Sequence, residues 1–169
     1  GQQTMGIRRP IRYLMWRLRP LRPVAQQVDN QTVFSKIFKE NLWGNDESVS
    51  GPGSTLAFTA NLRSKLTVLV KEFAIRDFVD APCGDFNWMG EVVRDTDINY
   101  TGLDVVPDLI EQNRSRYGDL ERVNFEVTDI TRDQLPKADI IMCRDCLFHL
   151  SWADTAGFVD QFLRSGTPY

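Results

Sequence analysis

The chain has 169 residues, 42% hydrophobic and 25% charged, which suits one soluble globular domain with a real core and leaves little room for two. The net charge of −3 hides an asymmetry, because residues 1–28 carry six arginines and no acid, leaving 14 basic against 23 acidic residues, a balance of −9, in the remainder. A body this acidic argues against a nucleic-acid binder, which needs a basic face to neutralise phosphates.

No apolar run approaches the roughly 20 residues needed to span a bilayer, and arginines break the early apolar stretch, so no secretory signal is visible. Three cysteines, an odd number, argue against a disulfide framework. The expected location is the cytoplasm.

In chain order, three parts are expected: a basic extension (1–31), a helical lead-in with a Gly/Ser loop (32–73) and an α/β unit (74–169). Residues 7–23 interleave arginine with Leu, Met, Trp and Tyr, and prolines at 10, 20 and 23 restrict any helix to about 11–19. The stretch is either a solvated arm or an interfacial one that touches anionic lipid or an acidic partner. Residues 32–41 predict a short helix with Phe34 and Phe38 on one side. Residues 45–54 form a polar Gly/Pro loop, either a linker or a lid with Trp43 as a flat wall. Leu62, Leu66, Leu69, Val70 and Phe73 then repeat with helical period, after an N-cap at Ser54 or Thr55.

Strand and helix signals alternate from there. Strands are predicted over 75–81, 99–105, 123–128 and 138–143. Helices are predicted over 86–94, from Pro107 to Gly118 with Leu109, Ile110, Asn113 and Tyr117 on one face, and after Ser151 with Trp152, Ala156, Val159 and Leu163 as the apolar stripe. This alternation predicts an open, mainly parallel Rossmann-like α/β sheet with helices on both faces.

Ligands in such sheets sit beyond the carboxyl ends of the strands, and Asp80, Asp104 and Asp129 fall at three successive ends. Asp104 lies 20 residues beyond Gly84, the spacing at which a nucleotide site sets an acid against ribose hydroxyls. The turn between strand and helix has Pro82, Gly84 and Phe86 where a pyrophosphate loop would carry glycines. A nucleoside without phosphates fits it better.

The segments DAPCGDFNWM, YTGLDVVPDLIEQN and FEVTDITRDQLPKADIIMCRDCLFHLS resemble class I S-adenosylmethionine-dependent methyltransferases, in particular a bacterial group of that class. The resemblance runs from about Phe34 to Gly166 and takes in Leu42-Trp43-Gly44 and the Ser50 to Ser54 segment. It implies S-adenosylmethionine as cofactor. Asp80, Ala81, Pro82, Cys83 and Gly84 would lie under its methionine part, and Asp104 would hold the ribose with Val105 against adenine. Asp129 and Ile130 would take the adenine edge and face, and Arg144, with Cys143 and Asp145, would border the sulfonium. Asp145 and His149 are the candidate proton acceptors for an in-line methyl transfer. The Asn-Pro-Pro-Tyr type of motif of enzymes that methylate nucleic-acid amines is absent, which with the acidic body points to a small-molecule or glycan substrate.

Three alternatives accompany this reading. Cys83, Cys143, Cys146 and His149 have the chemistry of a tetrahedral zinc site, although a strand at Cys143 would keep them from converging. A nicotinamide-dependent oxidoreductase is disfavoured by the glycine-poor loop. The class I sheet ordinarily has seven strands and four are predicted here, so the C-terminal strands are expected to be missing and strand four to present an open edge. That edge and the basic arm would suit an oligomer, or a non-catalytic cofactor-binding or interaction module completed by a partner.

Overall fold

The computed structural model describes residues 28–169; the basic arm at 7–23 lies outside the described residues. Helices α1 (Asn30–Lys39) and α2 (Leu56–Glu72) precede an alternating series of β1 (Asp77–Asp80), α3 (Met89–Arg94), β2 (Asn99–Asp104), α4 (Pro107–Tyr117), β3 (Val123–Val127), β4 (Ile140–Met142) and α5 (Trp152–Ser165). The four strands form one sheet in the order β3-β2-β1-β4, and every pair is parallel. The predicted doubly covered α/β architecture is therefore present. Among the described residues no helix is long and apolar enough to cross a membrane.

The strands are buried where the sequence is most apolar. Phe78 and Val79 of β1 are nearly inaccessible and point into two different clusters, as neighbouring strand residues must. Phe78 joins Leu66 and Val70 of α2 and Val92 of α3, whereas Val79 joins Leu103, Ile141 and Phe158. The lead-in helix α2 thus shares its core with the sheet, with Leu62, Leu66, Leu69 and Val70 inward as their period predicts. Phe73, expected on the same face, is 58% exposed and meets the Tyr169 ring edge-on at 6.4 Å.

The helix ends follow local chemistry. Asp29, Thr55 and Ser151 each accept a backbone N–H from the first turn of α1, α2 and α5, and α5 ends on a left-handed Gly166.

Three expectations are corrected. Helix α3 begins at Met89 rather than at residue 86, because Phe86 sits at φ +58° and cannot be helical. A left-handed non-glycine residue costs about 1–2 kcal/mol. The Phe86 ring, 1% exposed, lies 4.8 Å from Tyr100, 5.0 Å from Tyr117 and 5.2 Å from Phe125. Burial of the ring is worth about 1.5–3 kcal/mol, with about 0.5–1.5 more per aromatic pair, so packing outweighs the strain.

On α5 the stripe of Trp152, Ala156, Val159 and Leu163 faces outward, with Trp152 92% exposed. The inward face carries Phe158 and Phe162, which pack with Leu135 and Ile141. The predicted stripe has the wrong phase, because Phe158 and Phe162, four residues apart, supply the face that packs on the sheet. The edge of β4 is not bare either. Ala138 N donates to Thr167 Oγ1 at 3.1 Å and Ile141 N donates to the Tyr169 carbonyl at 2.9 Å, so the chain's last residues run beside it.

Candidate active site

The carboxyl ends of β1, β2 and β3 open on a cavity of about 360 Å³. Parallel strands joined by crossovers of one hand bring these ends to one edge, which is why Asp80, Asp104 and Asp129 share a lining although 24 or 25 residues separate each from the next.

Asp80 ends β1 and is 3% exposed. Its Oδ2 accepts from the Tyr100 hydroxyl at 2.8 Å. Burial pushes its carboxyl up to about 7, against the lowering effect of that hydrogen bond. Asp104 ends β2 at 6% exposure and accepts from Gly84 N and Val106 N, both at 3.1 Å. Burial raises it to about 6, although both backbone donors oppose the shift. These are two buried acids without full compensation, which favours a ligand that donates hydrogen bonds or carries positive charge.

The turn after β1 is held from three sides. Cys83 N donates to the Leu103 carbonyl at 2.8 Å, and Asn113 Nδ2 of α4 donates to the Gly84 carbonyl at 2.8 Å. Gly84 itself sits at φ +55°, and a Cβ there would lie 2.2 Å from Ser50 Oγ. The position therefore demands glycine for conformation and for space.

The third clamp comes from the Gly/Ser loop. Asp85 accepts from Val49 N at 3.0 Å, Ser48 Oγ at 3.1 Å and Ser50 Oγ at 3.2 Å, while its own N–H donates to Ser50 Oγ at 3.0 Å. Asn87 Nδ2 donates to Glu47 Oε1 at 2.9 Å and to the Ser54 carbonyl at 3.0 Å. Residues 47–54 are fixed over the turn by polar side chains, so the loop is a wall of the cavity.

Beyond β4, Arg144 forms an ion pair with Asp145 at 2.7 Å, donates to the Gly53 carbonyl at 2.9 Å and lies over the Trp88 ring at 5.6 Å. His149 lies against two rings, with Trp43 at 5.5 Å and Phe148 at 4.2 Å between centroids and the planes tilted by 35° and 47°. The neighbouring Cys143 and Cys146 thiols influence each other, Cys143 being drawn below the ordinary thiol range and Cys146 pushed above it. Cys83 packs with Phe78 and Phe86 in one cluster and Cys146 with Val79 and Ile141 in the other. The cysteines therefore do not converge with His149 on a zinc ion, and no group of three such ligands occurs among the described residues.

Of the residues singled out from sequence, Asp80, Pro82, Cys83, Gly84, Asp104, Val105, Asp129, Ile130, Arg144, Asp145 and His149 all line this cavity. Ala81 does not; it is fully buried, with its N–H on the Met142 carbonyl at 2.9 Å. Asp129 lines it with both oxygens engaged locally: Oδ1 accepts from Thr131 N at 3.0 Å and from Thr131 Oγ1 at 2.6 Å, and Oδ2 pairs with Arg132 Nε at 3.7 Å. Sequence reasoning did not find Tyr100, Asp85, Asn87 or Asn113. The only signal for Asp85 and Asn87 was two short polar side chains in an otherwise apolar turn. Asn113 stood on a helix face that is apolar at every other position, and such an exception points to a specific partner.

A family model described as "methyltransferase domain" matches residues 78–168, which is 91 of the 169 residues. No curated protein sequence matches the chain significantly. Among solved structures, the N-methyltransferase NodS from Bradyrhizobium japonicum WM9, in complex with S-adenosyl-L-homocysteine, superposes with a TM-score of 0.62 at 16% identity, covering 81% of this chain and 68% of that one. Magnesium protoporphyrin IX methyltransferase from Synechocystis PCC 6803, with bound S-adenosylmethionine, gives 0.58 at 11% identity over 82% and 73%. The methyltransferase domain of bacterial CtHen1 gives 0.53 at 18% identity over 60% of this chain and 57% of that one, so the match spans less than two thirds of that structure. At these identities the structural likeness establishes the fold.

Proposed function

Since the chain belongs to the methyltransferase domain family, we propose that it transfers the methyl group of S-adenosylmethionine to a small-molecule or glycan acceptor. The observation that carries this reading is the pair of buried strand-end acids, Asp80 and Asp104, which face one cavity with Val105 and Ile130 as its apolar walls. That set of acceptors and apolar walls fits an adenosine joined to a cationic amino acid. When bound, S-adenosylmethionine supplies an electrophilic methyl on a sulfonium that leaves as a neutral thioether.

The chain's own residues would orient the two reactants. Each oxygen of Asp104 keeps a lone pair after its backbone bond, and these accept the two ribose hydroxyls. Val105 and Ile130 would flank the adenine, and Asp129, its carboxylate shared with Thr131 and Arg132, would meet the adenine edge. The turn from Asp80 to Gly84 lies under the methionine part, where the Asp80 carboxylate complements positive charge. Arg144, held by Asp145 and Gly53, borders the reacting end. There His149, oriented by Trp43 and Phe148, or Asp145 takes the proton from the acceptor's hydroxyl or amine as its lone pair becomes bonding. The rest of the rate enhancement comes from proximity and alignment.

The test is transfer of radiolabelled methyl from the cofactor to an extract of small molecules and glycans. Label in acceptors, reduced in His149→Ala and Asp145→Asn while S-adenosylhomocysteine still binds, supports the assignment. Full activity in both variants would remove these two residues from the proton-accepting role.

A further inference from the structure

The cavity has two chemically different parts. The inner part is built on the strand ends and carries Asp80, Asp104 and Asp129. The outer part is a continuous run of rings from three separate segments: Phe34 of α1, Trp43 of the following loop, and Phe148 and His149 after β4. Phe34 and Trp43 lie 6.5 Å apart, Trp43 and His149 5.5 Å with planes inclined by 35°, and Phe148 and His149 4.2 Å. Trp43 is 36% and Phe148 73% exposed. Large rings left open at a cavity mouth are the usual mark of a ligand surface.

We infer that the acceptor is a planar aromatic small molecule, neutral or cationic, held against this ring wall. The inference rests on the methyltransferase reading of the same cavity and narrows its acceptor class. Flat rings offer an aromatic ligand offset or edge-on stacking, worth about 0.5–1.5 kcal/mol per pair beyond burial.

Charge and hydrogen bonding disfavour the other classes. Among the described residues, Arg144 is the only lysine or arginine lining the cavity, and its guanidinium is already engaged by Asp145 and Gly53. An anionic acceptor at the outer part would find the Asp145 carboxylate and no free cation beside it. A sugar carries a hydroxyl on nearly every carbon, and most would go unpaired against rings. One polar group at the mouth has no partner among the described residues: Asn30 Nδ2 lines the cavity and is buried there. It suits a single carbonyl or ether oxygen on the ring ligand.

The test is calorimetric titration of the full chain, saturated with S-adenosylhomocysteine, with 2-naphthol, 2-naphthoate and methyl glucoside. 2-Naphthol binding is expected, about five-fold weaker or worse in Trp43→Ala, largely restored in Trp43→Phe, and unchanged in Trp152→Ala, whose ring is 92% exposed on α5. The naphthoate and the glucoside are expected to bind at least about ten-fold more weakly than 2-naphthol. Equal binding of either compound, or naphthol affinity indifferent to Trp43→Ala, overturns the inference. S-adenosylhomocysteine is titrated first on every variant. Its binding with no preference for naphthol defeats the ring-wall inference alone, whereas its failure to bind defeats the reading of the whole site.

Discussion

Replacing Asp85 by alanine isolates the clamp that holds the Gly/Ser loop over the cofactor turn. The carboxylate has partners at 3.0, 3.1 and 3.2 Å on residues 48–50 and a weaker one, Asn87 N, at 3.4 Å. Hydrogen bonds to a charged acceptor contribute about 1.5–3 kcal/mol each, but the half-buried Ser50 hydroxyl can turn to water. Val49 N and the Ser48 hydroxyl, on a residue 1% exposed, have less freedom. Counting these two at the low end gives a loss of about 3 kcal/mol. For a domain of this size, that lowers the melting temperature by roughly 6–12 °C. Circular-dichroism melts measure it, and hydrogen exchange locates it, with protection lost first at Val49 and Ser50. Asp85→Asn keeps one acceptor and falls about midway. A melting temperature within about 2 °C of wild type, with Val49 still protected, would refute the idea that this carboxylate fixes the loop.

Other outcomes follow from the two buried acids and the turn. Asp80 and Asp104 titrate near 7 and near 6 in the fold against 3.8 for the ordinary carboxyl, so the folded state holds their protons longer than the unfolded state. Their contribution to apo stability is therefore full below about pH 4 and is lost as pH rises through 6 to 7, and melts between pH 5 and 8 should show a decline that Asp80→Asn flattens. Tyr100→Phe removes the donor that holds Asp80 down, so its cost of about 1–3 kcal/mol should be larger at pH 8, where the carboxylate is ionised, than at pH 5. Equal losses at both would contradict the assignment. Gly84→Ala combines about 1–2 kcal/mol of left-handed strain with a Cβ only 2.2 Å from Ser50 Oγ, and should both lower the melting temperature and release the loop measured in Asp85→Ala.

The strands were legible because a buried parallel strand must be a short apolar run, as Phe78-Val79 and Ile140-Ile141 are. Their ends were not. Ile75 and Arg76 precede a four-residue β1, and pairing with β2 begins only at Asp77. The acid at each strand end was legible as well, since topology alone brings Asp80 and Asp104 to one edge. Periodicity failed on α5 because the predicted stripe runs through Trp152, whereas the sheet receives Phe158 and Phe162. The loop clamp was invisible for a different reason: Asp85 and its partners are 35 to 37 residues apart, and no local pattern records such a pairing.

Calorimetric titration of the full chain with S-adenosylhomocysteine tests the central claim most directly. The account predicts saturable one-site binding that weakens about ten-fold or more in folded Asp104→Ala, as the loss of charge-assisted bonds to ribose requires. Absence of binding to well-folded protein, or equal affinity in Asp104→Ala, would contradict it.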